Sequence, residues 1–408
     1  MNKDYISIIL KNDFPQGFAV KSNICLKNQN IHCNSKILFE KFFPQFNAKV
    51  IELLLAKQFQ PNMICHADEF AMGGIGYSDL HGITLHPENS NNIVGGSSSG
   101  ICKAVWKNEA IFGLGSSTGG SIRIPGALCN LFAFEPSYGA CSRVGLVSFA
   151  SSLDKVGWVA KKIETIIDVA NIIIQTDCND MTSIEISRSI TLKNKILVFA
   201  DEDLQKYLNI EVFAKYLEIK KELSKNYQIT TLTHQDFKTI ILTSSTNYFI
   251  LSSVEAMSSL QRFNGLRLNQ SNPEQTFSQC LEETRNIFGS QVTERLAFAK
   301  KILKKYPNIY AQAIQDRTLL KEYISTLLEN ADGVFLPTLF KNSISVLESE
   351  IQETNLKLDM FSSWVNLIHG CAINMPLNSI QVQLTGKQGQ DFTILQIASD
   401  IISKYKNE

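Results

Sequence analysis

The sequence predicts an α/β protein whose sheet is covered by helices on both faces. Short apolar runs typical of buried strands, such as residues 196–200 and 334–336, alternate with segments whose apolar residues recur at helical spacing. The composition, 44% hydrophobic and 19% charged over 408 residues, is that of a globular chain with a sizeable core. The sequence contains no internal repeat and no linker, so residues 1–408 are predicted to form one domain.

The predicted elements justify this fold class in chain order. In the first part of the chain we expect strands at residues 17–25, 63–65, 110–114, 131–134 and 144–149, and helices at residues 48–57, 101–108 and 163–174. Glycine, proline and an asparagine cluster predict a loop over residues 73–94. In the second part we expect strands at residues 196–200, 334–336 and 379–384, helices at 364–370 and 393–404, and mostly helices over 210–330, interrupted near 265–273.

Charge and cysteine usage restrict the class of protein. Lys plus Arg and Asp plus Glu number 39 each, so the net charge is zero. A protein that binds RNA through its phosphates usually has a basic excess, so we expect another subunit to hold any nucleic acid. Nine scattered cysteines without a Cys-x-x-Cys pair favour a reducing cytoplasm over a disulfide framework or a structural zinc site.

Neither a targeting segment nor a metal site is predicted. Residues 1–5 lack the charged and then apolar layout of a secretion signal. No apolar run approaches the roughly 18 residues that a membrane helix needs. The six histidines show no metal-ligand spacing. The sequence therefore predicts a cytoplasmic protein with no membrane segment and no metal of its own.

Residues 95–123 carry the strongest chemical signal. Two loops of small residues, Gly-Gly-Ser-Ser-Ser-Gly and Gly-Ser-Ser-Thr-Gly-Gly-Ser, bracket an apolar segment. Glycine lets backbone N–H groups turn toward a ligand, and serine supplies a hydroxyl that can attack or relay a proton. A flexible linker would not place Trp106 and Phe112 between its glycines. We therefore interpret the stretch as a site.

Two other interpretations of the first loop are weak. Residues 95–100 have the glycine spacing of a phosphate-binding P-loop, but Ile101 stands where that loop needs lysine. Residues 96–100 match the Gly-x-Ser-x-Gly nucleophile elbow of α/β-hydrolases, with Asp359 and His369 later in the required order. An elbow follows a buried strand, and residues 89–92 are too polar to form one.

The second loop predicts an oxyanion hole beside a serine nucleophile. Thr118, Gly119 and Gly120 offer consecutive N–H groups next to the hydroxyl of Ser121. Ser97 lies in the first loop, and Lys21 follows a short apolar strand. On pattern alone, such a lysine is usually a surface residue whose stem is buried.

Taken together, the two loops and Lys21 resemble the amidase signature family. In that family two glycine-rich loops supply two serines, and an upstream lysine completes a Ser–cis-Ser–Lys triad. The matching positions are Ser121, Ser97 and Lys21. The resemblance implies the amidase signature fold, a single large mixed sheet covered by helices on both faces. The catalytic core would span about residues 17–180, and a helix-rich region about residues 210–330.

Further segments are similar to the A subunits of aspartyl/glutamyl-tRNA amidotransferases within this family. This similarity covers about residues 17–400, and its main segments are residues 68–73, 151–154, 252–256, 262–267, 288–295, 336–338 and 358–359. It implies a glutaminase that works with B and C subunits to amidate Glu-tRNA(Gln) or Asp-tRNA(Asn). ATP and Mg²⁺ would bind the partner subunit, tRNA would be held mainly by that subunit, and this chain would need no cofactor.

The resemblance also implies a role for each site residue. Ser121 would attack the side-chain amide of glutamine, Ser97 would relay the proton, and Lys21 would accept it. The positions expected to meet glutamine in such a site are Arg295, for the α-carboxylate, and Asp359, for the α-amino group. An unshifted lysine is almost entirely charged at neutral pH. The mechanism therefore requires a buried Lys21, because burial disfavours the charged form.

Several departures from the family pattern leave other functions open. Ser22 and Ser117 stand where the family has Asp, and Glu294 stands where a basic residue is common. Residues 74–79 differ from the usual segment, and the usual N-terminal helices are expected to be missing before Lys21. The alternatives are a stand-alone amidase of small amides and a catalytically weakened scaffold that stabilises its partner.

Overall fold

Strands occur along most of the sequence, from Ile6 to Gly386. The computed structural model describes residues 4–10, 17–264 and 276–406. The strands in chain order are β1 (Ile6–Ile9), β2 (Gly17–Lys21), β3 (Gln60–Cys65), β4 (Tyr77–Ser78), β5 (Gly82–Ile83), β6 (Phe112–Ser117), β7 (Phe132–Glu135), β8 (Lys155–Ala160), β9 (Lys195–Phe199), β10 (Gln228–Leu232), β11 (Gly333–Pro337), β12 (Cys371–Leu377) and β13 (Ile380–Gly386).

Eleven of these strands form one mixed sheet, in the order β1-β3-β2-β6-β8-β7-β12-β13-β11-β9-β10. Strand β2 pairs in parallel with both β3 and β6, and β9 does so with β10 and β11. The other neighbours in the sheet are antiparallel. Because β2 and β6 are parallel, their carboxyl ends, at Lys21 and Ser117, lie at the same edge of the sheet.

Helices of very different lengths surround the sheet. They are α1 (Lys49–Ala56), α2 (Ser99–Trp106), α3 (Arg123–Leu128), α4 (Ile163–Ile173), α5 (Asp201–Gln205), α6 (Ile210–Leu223), α7 (His234–Phe237), α8 (Ser244–Ser259), α9 (Phe277–Asn286), α10 (Ser290–Lys305), α11 (Ile309–Leu327), α12 (Val346–Ser349), α13 (Gln352–Met360), α14 (Ser363–Leu367) and α15 (Asp391–Lys406). Short 3₁₀ turns lie at Glu69–Ala71 and Leu260–Arg262, and a π-helical segment at Lys238–Thr243.

Strand β2 illustrates how the sheet is buried on both faces. Successive side chains of a strand point to opposite faces. Phe18 and Val20 enter the larger hydrophobic cluster, whereas Ala19 enters a second cluster together with Ile101 and Val105 of α2. Every residue of β2 is buried. The prediction of an α/β fold with a mixed sheet covered on both faces is confirmed.

Most predicted elements are present, with some corrections. Residues 144–149 do not form a strand, because Leu146 makes only an isolated bridge to Ile24. The predicted loop at residues 73–94 contains the small β4–β5 hairpin, and β1 precedes the strand that ends at Lys21. Strands β8, β10 and β12 were missed. The predicted interruption near residues 265–273 lies outside the described residues, and the one-domain organisation stays a prediction.

Candidate active site

The predicted base and relay serine are in direct contact. Lys21 is the last residue of β2, and its Nζ donates a 2.7 Å hydrogen bond to Oγ of Ser97. A second hydrogen bond, 3.2 Å long, runs from Nζ to the carbonyl oxygen of Ser116 on the neighbouring strand β6. The peptide bond between Gly96 and Ser97 is cis. The parallel β2–β6 pair therefore supplies the frame that places Lys21 beside the first loop.

The same edge of the sheet brings the two glycine-rich loops together. The backbone N–H of Ser98 donates to the carbonyl oxygen of Ser121 at 3.2 Å. The Ser98 hydroxyl donates to Ser116 O at 3.3 Å. Among the described residues, no hydrogen bond joins the Ser121 hydroxyl to Ser97, so this step of the relay stays a prediction. Ser97 is fully buried, whereas Ser121 keeps a small exposed fraction of 6%.

The environment of Lys21 suits a base. Its side chain is completely buried, so the requirement that it be removed from water is met. Burial lowers the pKa of Lys21 well below the ordinary lysine value, and the negative charges of Asp68 and Asp154 oppose this shift. A neutral amine can therefore exist at Nζ at a pH where a surface lysine would be charged.

Backbone and buried charges hold the second loop in place. Thr118 donates its hydroxyl to Oδ1 of Asp154 at 2.6 Å. The guanidinium of Arg123 donates to the carbonyl oxygens of Gly119, at 2.8 Å, and Ser362, at 2.9 Å. Fixing these peptide groups orients the N–H groups of the loop, which is what an oxyanion hole requires.

Arg123 belongs to a fully buried ionic cluster. Glu135 on β7 pairs with Arg123 at 3.2 Å and with Lys155 on β8 at 2.6 Å. Burial alone would raise the pKa of Glu135, but the charges of Lys155 and Arg123 lower it overall. The ionised carboxylate thus balances two cations next to the second glycine-rich loop. Glu135 and Lys155 are not predicted from the sequence, because their charged partners lie on other elements of the fold.

The two residues expected to bind glutamine line one cavity. This cavity, of about 410 Å³, lies between the segment at Gly73, helix α8, helix α10 and helix α13. Arg295 of α10 and Asp359 of α13 are both in its wall, together with Tyr248, Gln291 and Glu294. Its size suits a small molecule.

Arg295 and Asp359 are held in specific orientations. Arg295 donates to the Ser252 hydroxyl at 3.0 Å, and its guanidinium lies over the rings of Phe249 and Phe149. Asp359 accepts a 3.2 Å hydrogen bond from the N–H of Gly120. Burial raises the pKa of Asp359 to about 6, although the charge of Arg295 lowers it. The cavity is therefore connected to the second glycine-rich loop through Asp359.

Ser22 and Ser117, which stand where the family resemblance predicts aspartates, form hydrogen bonds to nearby groups. The Ser22 hydroxyl donates to Oδ1 of Asn34 at 2.7 Å, and the Ser117 hydroxyl donates to Gly119 O at 3.2 Å. Both serines are fully buried. The negative charge near the triad comes from other side chains, Asp68 and Asp154.

The weaker interpretations find no support in the geometry. The loop at residues 95–98 leads into α2, but no strand precedes it as an elbow requires. His369 bonds to the carbonyl oxygen of Ser152 and stacks on Tyr138. Within the described residues, no three His, Cys, Asp or Glu side chains are grouped to hold a metal ion. All nine cysteines are unpaired. No helix in the described ranges is long and apolar enough to cross a membrane.

The fold and the lysine–serine arrangement define the class of protein: the chain belongs to the amidase family, whose family model matches residues 17–395. Among curated proteins it is similar to the A subunit of glutamyl-tRNA(Gln) amidotransferase from Campylobacter curvus, with 31% identity over 96% of this chain and 85% of the relative. The corresponding protein of Campylobacter concisus is 30% identical with the same coverage. The sequence-based family assignment and the similarity to A subunits are confirmed.

Solved structures support the fold. The crystal structure of the glutamyl-tRNA(Gln) amidotransferase A subunit from Thermotoga maritima has a TM-score of 0.80 at 24% identity, covering 97% of this chain and 86% of that one. Allophanate hydrolase of Kluyveromyces lactis has a TM-score of 0.81 at 22% identity, covering 95% of this chain and 62% of that one. At these identities the likeness concerns the fold alone.

Proposed function

We propose that this chain is the glutaminase subunit of a tRNA-dependent amidotransferase. The observation that carries the proposal is the buried Lys21–Ser97 hydrogen bond, placed next to the Ser121 loop and a cavity lined by Arg295 and Asp359. The 30% and 31% identity to two glutamyl-tRNA(Gln) amidotransferase A subunits favours glutamine as the amide donor.

The chemistry proceeds through an acyl-enzyme. Ser121 Oγ attacks the side-chain amide carbon of glutamine, while its proton passes through Ser97 to neutral Lys21. N–H groups of Thr118 and Gly119 stabilise the tetrahedral oxyanion. The N–H of Gly120, also predicted as an oxyanion donor, is bonded to Asp359 and would have to leave that carboxylate to take part. The proton then returns through Ser97 to the departing nitrogen, which leaves as ammonia. Water hydrolyses the acyl-enzyme, and glutamate is released.

The cavity suits an amino-acid amide because it presents one group of each charge. The guanidinium of Arg295 can bind the α-carboxylate, and the carboxylate of Asp359 can bind the α-ammonium group. The contact between Asp359 and Gly120 sets the spacing between substrate recognition and the nucleophile loop. Both residues are assigned these roles by the family resemblance.

Ammonia would be used by partners in the cytoplasm. We assign ATP and Mg²⁺ chemistry and most of the tRNA binding to a B subunit, with a small C subunit completing a heterotrimer. The acceptor would be Glu-tRNA(Gln), with Asp-tRNA(Asn) as the second candidate. The zero net charge of this chain agrees with a division of labour in which another subunit holds the nucleic acid.

A reconstitution experiment tests the proposal. Ammonia release from glutamine and amide transfer to Glu-tRNA(Gln) are measured for the chain alone and with its B and C subunits. Both activities should require the complex and disappear in Ser121→Ala. A matched control is Ser99→Ala, since Ser99 is a buried serine at the start of α2 that bonds to Thr84 outside the triad. Absence of both activities from a folded complex would overturn the proposal and favour a scaffold role.

A stand-alone amidase is the second candidate, because an apolar cavity of about 390 Å³ adjoins the first one. The two cavities share Ser245, Phe249, Phe298 and Leu356. An apolar group of a small amide could occupy this space. Hydrolysis of aromatic or aliphatic amides by the isolated chain, faster than that of glutamine by the complex, would favour this function.

A further inference from the structure

Asp68 is a buried carboxylic acid next to the triad to which the family resemblance gives no role. It immediately precedes the 3₁₀ turn Glu69–Ala71 and is completely buried. Its backbone N–H donates to the carbonyl oxygen of Ser97 at 3.3 Å. The main chain of Asp68 is therefore attached to the loop that carries the relay serine.

The turn after Asp68 has an unusual backbone. Phe70 and Ala71 both have positive φ values, 49° and 61°, which residues other than glycine rarely adopt. The ring of Phe70 packs against Phe263 at 5.0 Å and Phe288 at 5.9 Å between centroids. Such conformations persist where the surrounding structure imposes them and are common at functional sites.

Two glycines make room for the Asp68 carboxyl group. A Cβ atom added to Gly96 would lie 2.5 Å from Oδ1, and one added to Gly73 would lie 2.0 Å from Oδ2. Gly96 directly precedes Ser97, and Gly73 lines the substrate cavity. The carboxyl group thus occupies the space between the relay serine's loop and the cavity.

The carboxyl oxygens of Asp68 have unused hydrogen-bonding capacity. Within the described residues neither oxygen accepts a hydrogen bond of normal geometry. The N–H groups of Ile75 and Gly76 do face the carboxyl group closely enough to lower its pKa. A fully buried carboxyl group without strong partners is costly unless a nearby charge or proton compensates it.

Lys21 is the charged group that lowers the pKa of Asp68 most strongly. Burial raises the pKa of Asp68, and Lys21 is the strongest influence in the opposite direction, whereas the charge of Asp359 raises it further. Around Lys21 the charged and titratable groups are Asp68, then Asp154, Cys102 and Cys33. Burial raises the pKa of both thiols, which keeps them neutral.

Asp154 is a weaker candidate than Asp68 for the counter-charge of Lys21, because its oxygens already have hydrogen-bond partners. Its oxygens already accept hydrogen bonds from the hydroxyls of Thr118 and Ser148 and from the N–H groups of Phe149 and Ala150. These partners fix the Asp154 carboxylate in the second loop. Asp68, in contrast, has few competing partners.

We propose that Asp68 is a positioning residue of the triad, which acts through Lys21 as the counter-charge of the ammonium that forms when Lys21 accepts the nucleophile's proton. No bond to Asp68 forms or breaks. The proton moves from Ser121 to Ser97 and from Ser97 to Lys21, and the carboxylate stabilises the resulting cation. In this way Asp68 supplies the negative charge that Ser22 and Ser117 cannot.

A direct titration of Lys21 tests this role. Isotope-labelled lysine is incorporated, and the Lys21 resonance is identified by its loss in Lys21→Met. In Asp68→Asn the pKa of Lys21 should fall by about 1–3 units, because an adjacent opposite charge is removed. An unchanged or higher pKa of Lys21 would overturn the proposal. The matched control is Asp391→Asn, since Asp391 is an equally buried carboxylate bound to Ser137, and it should leave the Lys21 pKa unchanged.

The titration does not depend on glutamine hydrolysis, although the role of Asp68 in catalysis rests on the proposed function. A kinetic readout uses an alkyl fluorophosphonate, in which Ser121 Oγ bonds to phosphorus, fluoride leaves and the proton passes to Lys21. The acidic limb of the labelling rate should move to lower pH in Asp68→Asn, with a lower plateau. A lower plateau without movement of the limb would mean a merely structural role and overturn the proposal.

A reciprocal variant keeps the test decisive if Asp68→Asn does not fold. Lys21 lowers the pKa of Asp68, so Lys21→Met should increase the protonated Asp68 population near neutral pH. The infrared carbonyl band of a protonated buried carboxyl group measures this population. A band of unchanged intensity in Lys21→Met would contradict the assigned pairing of Lys21 with Asp68.

Discussion

The backbone N–H of Gly120 donates a hydrogen bond of 3.2 Å to Oδ1 of Asp359. Gly120 follows β6 in the nucleophile loop, and Asp359 lies near the end of α13, more than two hundred residues later in the chain. The contact joins a predicted oxyanion donor to a predicted substrate ligand. In the proposed mechanism, recognition of the substrate and positioning of this loop would therefore depend on the same carboxylate.

Replacing Asp359 should affect substrate binding more than turnover. In Asp359→Asn the amide oxygen can still accept from Gly120, but the negative charge is lost. A hydrogen bond to a charged group contributes about 1.5–3 kcal/mol, so KM for glutamine should rise by about 10- to 100-fold. Steady-state ammonia release measures this change. Glu353→Gln, on the exposed side of the same helix, is the control, and an unchanged KM with a lower kcat would contradict the prediction.

Removing the Ser97 hydroxyl should lower kcat more than it changes KM for glutamine. Ser97→Ala deprives Lys21 of its 2.7 Å partner and interrupts the proton path. General acid–base catalysis typically accelerates a reaction by a factor of about 10² to 10⁴, so kcat should fall by a factor of that size. KM for glutamine should stay close to the wild-type value. Ser99→Ala should retain activity, and a similar loss in both variants would show that the effect is on folding.

Activity should be lost as the pH falls. In the proposed mechanism Lys21 works as the neutral amine and Asp359 as the anion, so each functional form exists above the pKa of its own group. Burial lowers the pKa of Lys21, which opens the neutral range to proton transfer, and it raises the pKa of Asp359 to about 6. Ammonia release against pH should therefore show a rise in KM below about pH 6. A KM that does not depend on pH in this range would exclude Asp359 as the ligand of the α-ammonium group.

Replacing Arg295 should move that pH dependence. The guanidinium of Arg295 lowers the pKa of Asp359, so Arg295→Gln should raise it. The pH below which KM rises would shift upward, and KM itself would increase at every pH because the α-carboxylate loses its partner. Arg317→Gln is a suitable control, since Arg317 bonds to Ser152 outside the cavity. An increase in KM without movement of its pH dependence would indicate that Arg295 and Asp359 act independently.

Breaking the buried ionic cluster of Arg123, Glu135 and Lys155 should lower the free energy of unfolding. Glu135→Gln leaves Arg123 and Lys155 buried without their counter-charge. Breaking a buried pair in this way typically costs about 3–5 kcal/mol, which urea unfolding can measure. The control Glu353→Gln removes an exposed carboxylate paired with Lys357 and should change stability little. Equal stability of both variants would contradict the ionic role of Glu135.

Local patterns were sufficient for much of the fold. Strand β2 and helix α4 are visible in the sequence because their apolar residues recur at the period of a strand or a helix. Strand β8 was missed, although it lies in the middle of the sheet. It begins with Lys155, whose charge is balanced by Glu135 on the neighbouring strand. The opposite error, a strand predicted at residues 144–149, arose because apolar residues there pack without pairing along the sheet.

The sequence by itself determined the candidate triad, since glycine and serine at fixed positions in two loops, with a lysine after a strand, form a local pattern. It also determined the family, which the comparison over residues 17–395 confirms. Only the tertiary structure decided which charges surround that triad. Asp68, Glu135 and the adjacent pair Asp154 and Lys155 lie on three separate segments. Electrostatic interactions depend on distance in space and on burial, neither of which is encoded in sequence spacing.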